Sequence, residues 1–316
     1  MKVKIVTNRK TEYLFDQLEL EYKEKLKIEE FSDSEISVSF YSSVRGYDLY
    51  ILADNRTELV ELLQTIDAAK RNSAKNITVI LPYFGYGRQD KKEGHRGCLG
   101  ASMMTNVLEK MGVNRIVSID LHAEQIQGFC SIPFEHIKGH SIFLKYIQEN
   151  FDLSNTILCS PDAGGMARVE KYTKRLSLPM VSINKRRDKP NSIASMELIG
   201  EVTDKDVIII DDMVDTCGTL AKAVNYLKEK GAKTVSYIAT HGVLSGDWSY
   251  KLSKSNLDRL VISDTTKKCL SFFLGTKTIN TFYENFPKIE VVSCAPILSK
   301  VIKNLIEENS ISEIND

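Results

Sequence analysis

Val207-Ile208-Ile209-Ile210-Asp211-Asp212-Met213-Val214-Asp215-Thr216-Cys217-Gly218-Thr219 is the stretch that decides the fold of this chain. Its four leading aliphatic residues read as a strand buried on both faces, the kind that parallel sheets use. Leu220, Ala223, Val224 and Leu227 then repeat at helical spacing until Gly231, which predicts a helix over 219–230. The residues at 211–219 therefore form the turn between a strand's carboxyl end and a helix's amino end. Unpaired N–H groups there, with the Thr216 and Thr219 hydroxyls, can surround a phosphate, and Gly218 lets the main chain approach it closely. Asp211, Asp212 and Asp215 repel phosphate but suit sugar hydroxyls and magnesium. A phosphorylated sugar satisfies both halves of the turn. The competing reading is that the acidic residues only cap the helix, but one cap does not use three aspartates.

Apolar runs at 3–6, 36–40, 49–53, 77–81, 116–119, 156–159, 180–183, 207–210, 235–239 and 260–262 alternate with helical patterns at 57–71, 100–111, 141–149, 164–176, 219–230 and 297–307. That alternation predicts parallel sheets covered by helices. Two sheets are expected, because ten strands in one open twisted sheet would be unusual. The boundary falls near 138–142, where Lys138-Gly139-His140-Ser141 precedes a new helix. A late run at 289–292 and the helix beginning near Pro296 are candidates to return to the first domain. The Lys-, Thr- and aromatic-rich segment 265–286 reads as a loop or short hairpin.

At 316 residues the chain has room for two ordinary domains. Lys plus Arg and Asp plus Glu both total 42, so no global field favours nucleic acid or an anionic membrane. The first ten residues lack a signal-peptide core and no apolar run reaches membrane-spanning length, so a soluble, cytoplasmic protein is expected. Cysteines at 98, 130, 159, 217, 269 and 294 show no Cys-x-x-Cys pair and read as free thiols; Cys217 is assigned no chemistry.

Four further stretches carry chemistry. Ser160-Pro161-Asp162-Ala163-Gly164-Gly165 presents Asp162 at a strand end beside glycines, either as a ligand group or as an Asx turn that starts the helix. Ile119-Asp120-Leu121-His122 places Asp120 and His122 on one strand face by the two-residue period; His122 is a metal candidate, although a lone His is more often structural. Tyr83-Phe84-Gly85-Tyr86-Gly87-Arg88-Gln89-Asp90-Lys91-Lys92 interleaves aromatic, glycine and basic residues, which suits a nucleotide whose base stacks and whose phosphates meet Arg88. Asn184-Lys185-Arg186-Arg187-Asp188-Lys189 is either a solvated cationic surface or a loop that closes over polyphosphate; the aspartates elsewhere call for the second.

These five stretches, in this order, resemble the ribose-phosphate diphosphokinase (PRPP synthetase) family from Lys4 to about residue 309. Phe31-Ser32-Asp33-Ser34-Glu35 is similar to the family segment that binds adenine from a neighbouring subunit. The resemblance implies two phosphoribosyltransferase-like α/β domains, each a mostly parallel sheet flanked by helices. Residues 1–141 would form the ATP side, with 296–309 a candidate to complete it; 142–295 would form the ribose 5-phosphate side and 310–316 a tail. It further implies an enzyme that transfers the β,γ-diphosphoryl group of Mg-ATP to the anomeric hydroxyl of ribose 5-phosphate, giving PRPP and AMP. Phe31, Asp33, Glu35, Arg88 and Gln89 would hold ATP, and His122 and Asp162 the Mg²⁺. Arg187, Asp211, Asp212, Asp215, Thr216, Cys217, Gly218 and Thr219 would hold ribose 5-phosphate, while Lys185 and Arg187 would act in catalysis. A homo-oligomer is implied, at least a dimer and a hexamer built from dimers.

The chain departs from the family at Gly97-Cys98-Leu99-Gly100-Ala101-Ser102, is shorter near 53–57, longer over 265–286, and lacks the usual C-terminal extension after Ser312. These changes avoid the catalytic stretches. Ser43-Val44-Arg45-Gly46 matches only one half of the family's regulatory anion site. The alternatives are a type I phosphoribosyltransferase, which would leave 31–35, 88–89 and 185–187 unexplained, and a non-catalytic associated subunit, which typically carries altered catalytic loops.

Overall fold

Strands built from most of the predicted aliphatic runs assemble into two main sheets, one in each of two compact units: Met1–Ser141 with Cys294–Asp316, and Ile142–Ser293. The computed structural model describes residues 2–92, 94, 96–186, 195–269 and 288–315. Among the described residues, no helix is long and apolar enough to cross a membrane.

The first unit opens with β1 (Val3–Thr7) and α1 (Glu12–Gln17), followed by an antiparallel hairpin of β2 (Leu26–Glu30) and β3 (Ile36–Phe40). Then come β4 (Asp48–Leu52), α2 (Leu59–Arg71), β5 (Asn76–Leu81), α3 (Gly100–Met111), β6 (Arg115–Ile119) and β7 (Phe134–Ile137). The sheet order is β1-β4-β5-β6-β7 and every pairing is parallel. Val79, Leu81, Ile51 and Leu49 on its face pack against Leu62, Ile66 and Ala69 of α2 and Met104 and Leu108 of α3. The run at 36–40 does not join this sheet, contrary to the expectation. Its apolar residues Val38 and Phe40, with Ile28 of β2, lean on the core from one side only, so the pair stays a separate ribbon. Charges at Lys27, Glu29 and Glu30 hide β2 from apolar pattern reading.

α4 (His140–Asn150) leads into the second unit. Its strands are β8 (Thr156–Ser160), β9 (Met180–Arg186), β10 (Ser195–Ile199), β11 (Asp206–Val214), β12 (Thr234–Gly242), β13 (Arg259–Ser263) and β14 (Lys288–Val292). Helices α5 (Met166–Leu176), α6 (Gly218–Glu229) and α7 (Trp248–Ser253) connect them. The sheet order is β10-β9-β8-β11-β12-β13-β14, parallel throughout except for β10, which runs antiparallel to β9. After β8 the chain winds one way, to β9; after β11 it winds the other, to β12. The strand order therefore reverses between β8 and β11, and ligands of open α/β sheets bind at the carboxyl ends of the strands at such a reversal.

α8 (Ala295–Ile306) belongs to the first unit, where it buries Leu298, Val301 and Ile302, and Ser299 Oγ accepts a hydrogen bond from Glu19 N (3.1 Å). Residues 310–315 are not a free tail. α9 (Ser312–Asn315) buries Ile314, and the Asn315 side chain accepts from Lys138 N (2.8 Å) and donates to His136 O (3.0 Å). One buried aliphatic residue and one amide that satisfies buried backbone groups dock the segment. Of 265–286, Thr265 and Thr266 are buried beside β12, where Thr266 Oγ1 donates to Gly242 O (2.6 Å); 270–286 lie outside the described residues.

Candidate active site

β11 is longer than the aliphatic run that predicts it. Asp211, Met213 and Val214 still pair with Ala239, His241 and Gly242 of β12, so the turn proper is only 215–217. Polar residues continue the strand because the register with β12 supplies their backbone partners, whatever the side chain. Cys217, with φ 58°, is the left-handed N-cap residue of α6, and its own side chain does not cap that helix. The N-cap position is therefore Cys217 and not one of the aspartates. Thr216 and Thr219 are exposed at the helix start, and Gly218 is its first residue.

Strand alternation puts Asp211 on the sheet face of Ile209 and Tyr237, and Asp212 on the other. Asp211 Oδ2 accepts from the Tyr237 hydroxyl (2.5 Å) and Oδ1 from Asp212 N (2.9 Å). Arg168 Nη1, from α5, lies 4.0 Å from Asp211 Oδ1 and 3.9 Å from Asp212 Oδ1. Burial, reinforced by the neighbouring Asp212 charge, pushes the Asp211 carboxyl well above the usual carboxylate range. A carboxylate pair held in this way is poised to gain from a cation or from hydroxyl donors. Asp215 is held outward of the pair: its Oδ1 accepts from the Ser245 hydroxyl and from Ser245 N (3.3 Å).

Cys217 is 3 % exposed, and burial together with Asp215 pushes its thiol up to about 12. At pH 8 its thiolate fraction is on the order of 10⁻⁴, and the thiolate is the reactive form. A thiol reagent at pH 8 is thus expected to modify the exposed Cys98 and leave Cys217 intact in the folded protein. Peptide mass spectrometry reads this, and equal labelling of the two would refute the buried placement.

At the end of β8, the neighbour of β11, Asp162 Oδ1 accepts from Gly165 N (3.0 Å) at the start of α5. The Asx-turn reading thus describes one oxygen of this group, and the turn also fixes where the carboxylate stands. β9 carries Lys185 in its backbone, paired with Met196 of β10. The Lys185 side chain and all of Arg187 lie outside the described residues.

The remaining predicted residues belong to the first unit. After β5, Tyr83 and Phe84 are 7 % and 3 % exposed, so they are core residues rather than a stacking platform; of the three aromatics only Tyr86 is exposed. Gly85 is gripped by the buried Asn55, whose Oδ1 accepts from Gly85 N (2.8 Å). Arg88 and Gln89 are exposed beyond it, and a Cβ at Gly100 would meet Gln89 Oε1 at 2.3 Å, so α3 can begin there only with glycine if Gln89 keeps its place. Asp120 and His122 do not share a face. β6 ends at Ile119, and Asp120 turns left-handed (φ 41°) and is buried, while His122 is exposed past the strand end. The two-residue period fails there because Asp tolerates the left-handed region and breaks the strand. Phe31, Asp33 and Glu35 form the exposed tip of the β2–β3 hairpin, closed by Phe31 N to Glu35 O (2.8 Å) and Glu35 N to Asp33 Oδ1 (3.1 Å).

Tyr237, Arg168 and Ser245 touch the aspartates but escape sequence reading. Tyr237 is on the neighbouring strand β12, Arg168 on α5 and Ser245 in the loop after β12, each distant in sequence, and nothing local distinguishes them from core or surface residues.

The model of the N-terminal domain of ribose phosphate pyrophosphokinase matches residues 4–112, and that of the phosphoribosyl synthetase-associated domain matches 184–315. Ribose-phosphate pyrophosphokinase of Porphyromonas gingivalis is 39 % identical over 293 residues, 92 % of this chain and 89 % of that protein. The chain belongs to the ribose-phosphate pyrophosphokinase family. The same enzyme of Campylobacter jejuni is 41 % identical over 91 % of this chain and 89 % of its own length. The phosphoribosylpyrophosphate synthetase structure from Mycobacterium smegmatis superposes with a TM-score of 0.85 at 34 % identity, covering 98 % of this chain and 100 % of that one. Both domains of the family are present, and each has the mostly parallel sheet flanked by helices that the resemblance implies.

Proposed function

We propose that this family member is a working ribose-phosphate diphosphokinase, moving the diphosphoryl group of Mg-ATP to the anomeric hydroxyl of D-ribose 5-phosphate to give PRPP and AMP. The observation that carries the proposal is the placement of Asp211, Asp212 and the 215–219 turn at the reversal of strand order between β8 and β11. Carboxylates there meet sugar hydroxyls, and the N–H groups and hydroxyls at the start of α6 meet the 5-phosphate. In this assignment Asp211, Asp212, Asp215, Thr216, Cys217, Gly218 and Thr219 hold ribose 5-phosphate, Cys217 through its backbone, together with Arg187. The first unit is the ATP side, with Arg88 and Gln89 on the nucleotide.

Transfer of a phosphoryl group is mainly alignment and neutralisation of spreading charge. Lys185 and Arg187 supply cations to the moving diphosphoryl group. Bound Mg²⁺ supplies further neutralisation of the polyphosphate. His122 and Asp162 are the residues assigned to it. Among the described residues no group of three His, Cys, Asp or Glu could hold a metal by itself. Magnesium keeps several waters and takes one or two carboxylates plus substrate phosphates, and the Asp162 carboxylate is a donor of that kind. His122→Ala and Asp162→Ala are each expected to raise the magnesium concentration needed for half-maximal rate, roughly ten-fold. Unchanged magnesium dependence in both would remove them from the metal site.

Phe31 is 55 % exposed at the hairpin tip, beside Asp33 and Glu35. An aromatic ring held out in water gains most by being covered, which supports its role in the adenine site of a neighbouring copy and hence an oligomer, at least a dimer and in full a hexamer. Incubation with ATP and ribose 5-phosphate, with no base present, tests the whole proposal. AMP and PRPP are expected in equal amounts, and a protein that makes neither is not this enzyme.

A further inference from the structure

We infer that Tyr237 is a positioning residue for the sugar side of the site, its buried hydroxyl fixing the carboxylate of Asp211 that meets the ring hydroxyls of ribose 5-phosphate. The inference rests on the ribose assignment above and names a residue that assignment does not contain.

In the parallel register Ile209 stands opposite Tyr237 and Asp211 opposite Ala239, so Tyr237 and Asp211 share one face and are diagonal neighbours. The Tyr237 ring is 1 % exposed in a core of Val207, Ile209, Val224 and Leu260, none of which can use a hydroxyl. Phenylalanine would fill that volume equally well, and a buried phenol without a partner would be costly. The hydroxyl instead donates to Asp211 Oδ2 at 2.5 Å, while Asp212 N takes Oδ1 at 2.9 Å. Both oxygens are thus anchored, on opposite sides of a torsion that is otherwise broad in aspartate. Burial and the charge of Asp211 hold the phenol well above its ordinary range, so it stays a donor wherever the enzyme works. Asp212 and Arg168 also act on the Asp211 carboxyl, Arg168 from 4.0 Å, while Tyr237 is the neutral donor that holds Oδ2. The remaining lone pairs of that carboxyl are then aimed before the sugar arrives, which is how an ordered site avoids losing affinity to reorganisation.

The test is Tyr237→Phe, with kcat and both Michaelis constants measured beside the thermal unfolding midpoint. Loss of one of the two hydrogen bonds that fix the Asp211 carboxyl predicts a rise of roughly ten-fold in KM for ribose 5-phosphate. KM for ATP is expected to stay within about two-fold, because the ATP residues lie on other elements. Tyr237→Met refills the volume with a flexible apolar chain and is expected to give the same split. An unchanged ribose 5-phosphate KM, or equal rises in both constants, overturns the inference while leaving the activity of the wild-type protein as evidence for the ribose assignment. Failure of both variants to fold also overturns it, since the hydroxyl would then serve the core. Absence of PRPP formation by the wild-type protein defeats the assignment itself.

Discussion

Lys185→Ala is expected to lower kcat by about 10²–10³-fold while the Michaelis constants for ATP and ribose 5-phosphate move only a few-fold. A cation that engages a group only as it transfers contributes to the transition state and little to the ground state. The placement of Lys185 suits that role. β9 pairs with β8 up to Ser182 opposite Ser160, then continues through Arg186 with β10 as its companion. Lys185 is three residues past the last pairing with β8, which at strand rise puts its backbone roughly 10 Å beyond that strand's end. The extension carries the Lys185 backbone past the carboxyl end of β8, the strand that precedes Asp162, on the sheet that also bears the aspartates of β11. Steady-state kinetics of the purified variant decide the matter: raised Michaelis constants with an intact kcat would make Lys185 a binding residue only.

Mixing two inactive variants, Glu35→Ala and Lys185→Ala, is expected to restore activity from a background near zero. In the proposed shared active site Glu35 would come from one copy and Lys185 from another, so a mixed interface would contain one site with both residues intact. The hairpin tip can reach a second copy because β2 and β3 stand apart from the parallel sheet and expose Phe31, Asp33 and Glu35 together. Native mass spectrometry must first show that the subunits have exchanged. Exchanged hybrids without turnover, or a monomer with full activity, would end the shared-site model.

The turn at 211–219 was legible because it combines two kinds of information that survive in one dimension: a strand-to-helix change of period and an uncommon set of side chains within a few residues. The loops that carry Arg88, Gln89 and Asp162 are legible in the same way, as short segments after apolar strands. Tyr83 and Phe84 misled because an aromatic beside a glycine loop looks alike whether it faces a base or the core, and burial decided for the core. His122 and Asp120 misled because alternation holds only while the strand lasts, and the left-handed turn at Asp120 ends it.

By itself the sequence determined two mostly parallel sheets, most of their helices and the family of chemistry, since periodicity and local composition are properties of contiguous residues. Tertiary structure alone decided that the strand order reverses between β8 and β11, that β2 and β3 form a separate ribbon, and that residues 310–315 dock on the first unit. It alone decided that Tyr237, Arg168 and Ser245 surround the aspartates. Packing of strands, a helix and a loop brings residues 26 to 44 positions apart within hydrogen-bond or ion-pair distance, and no local pattern records which partner a buried carboxylate will meet.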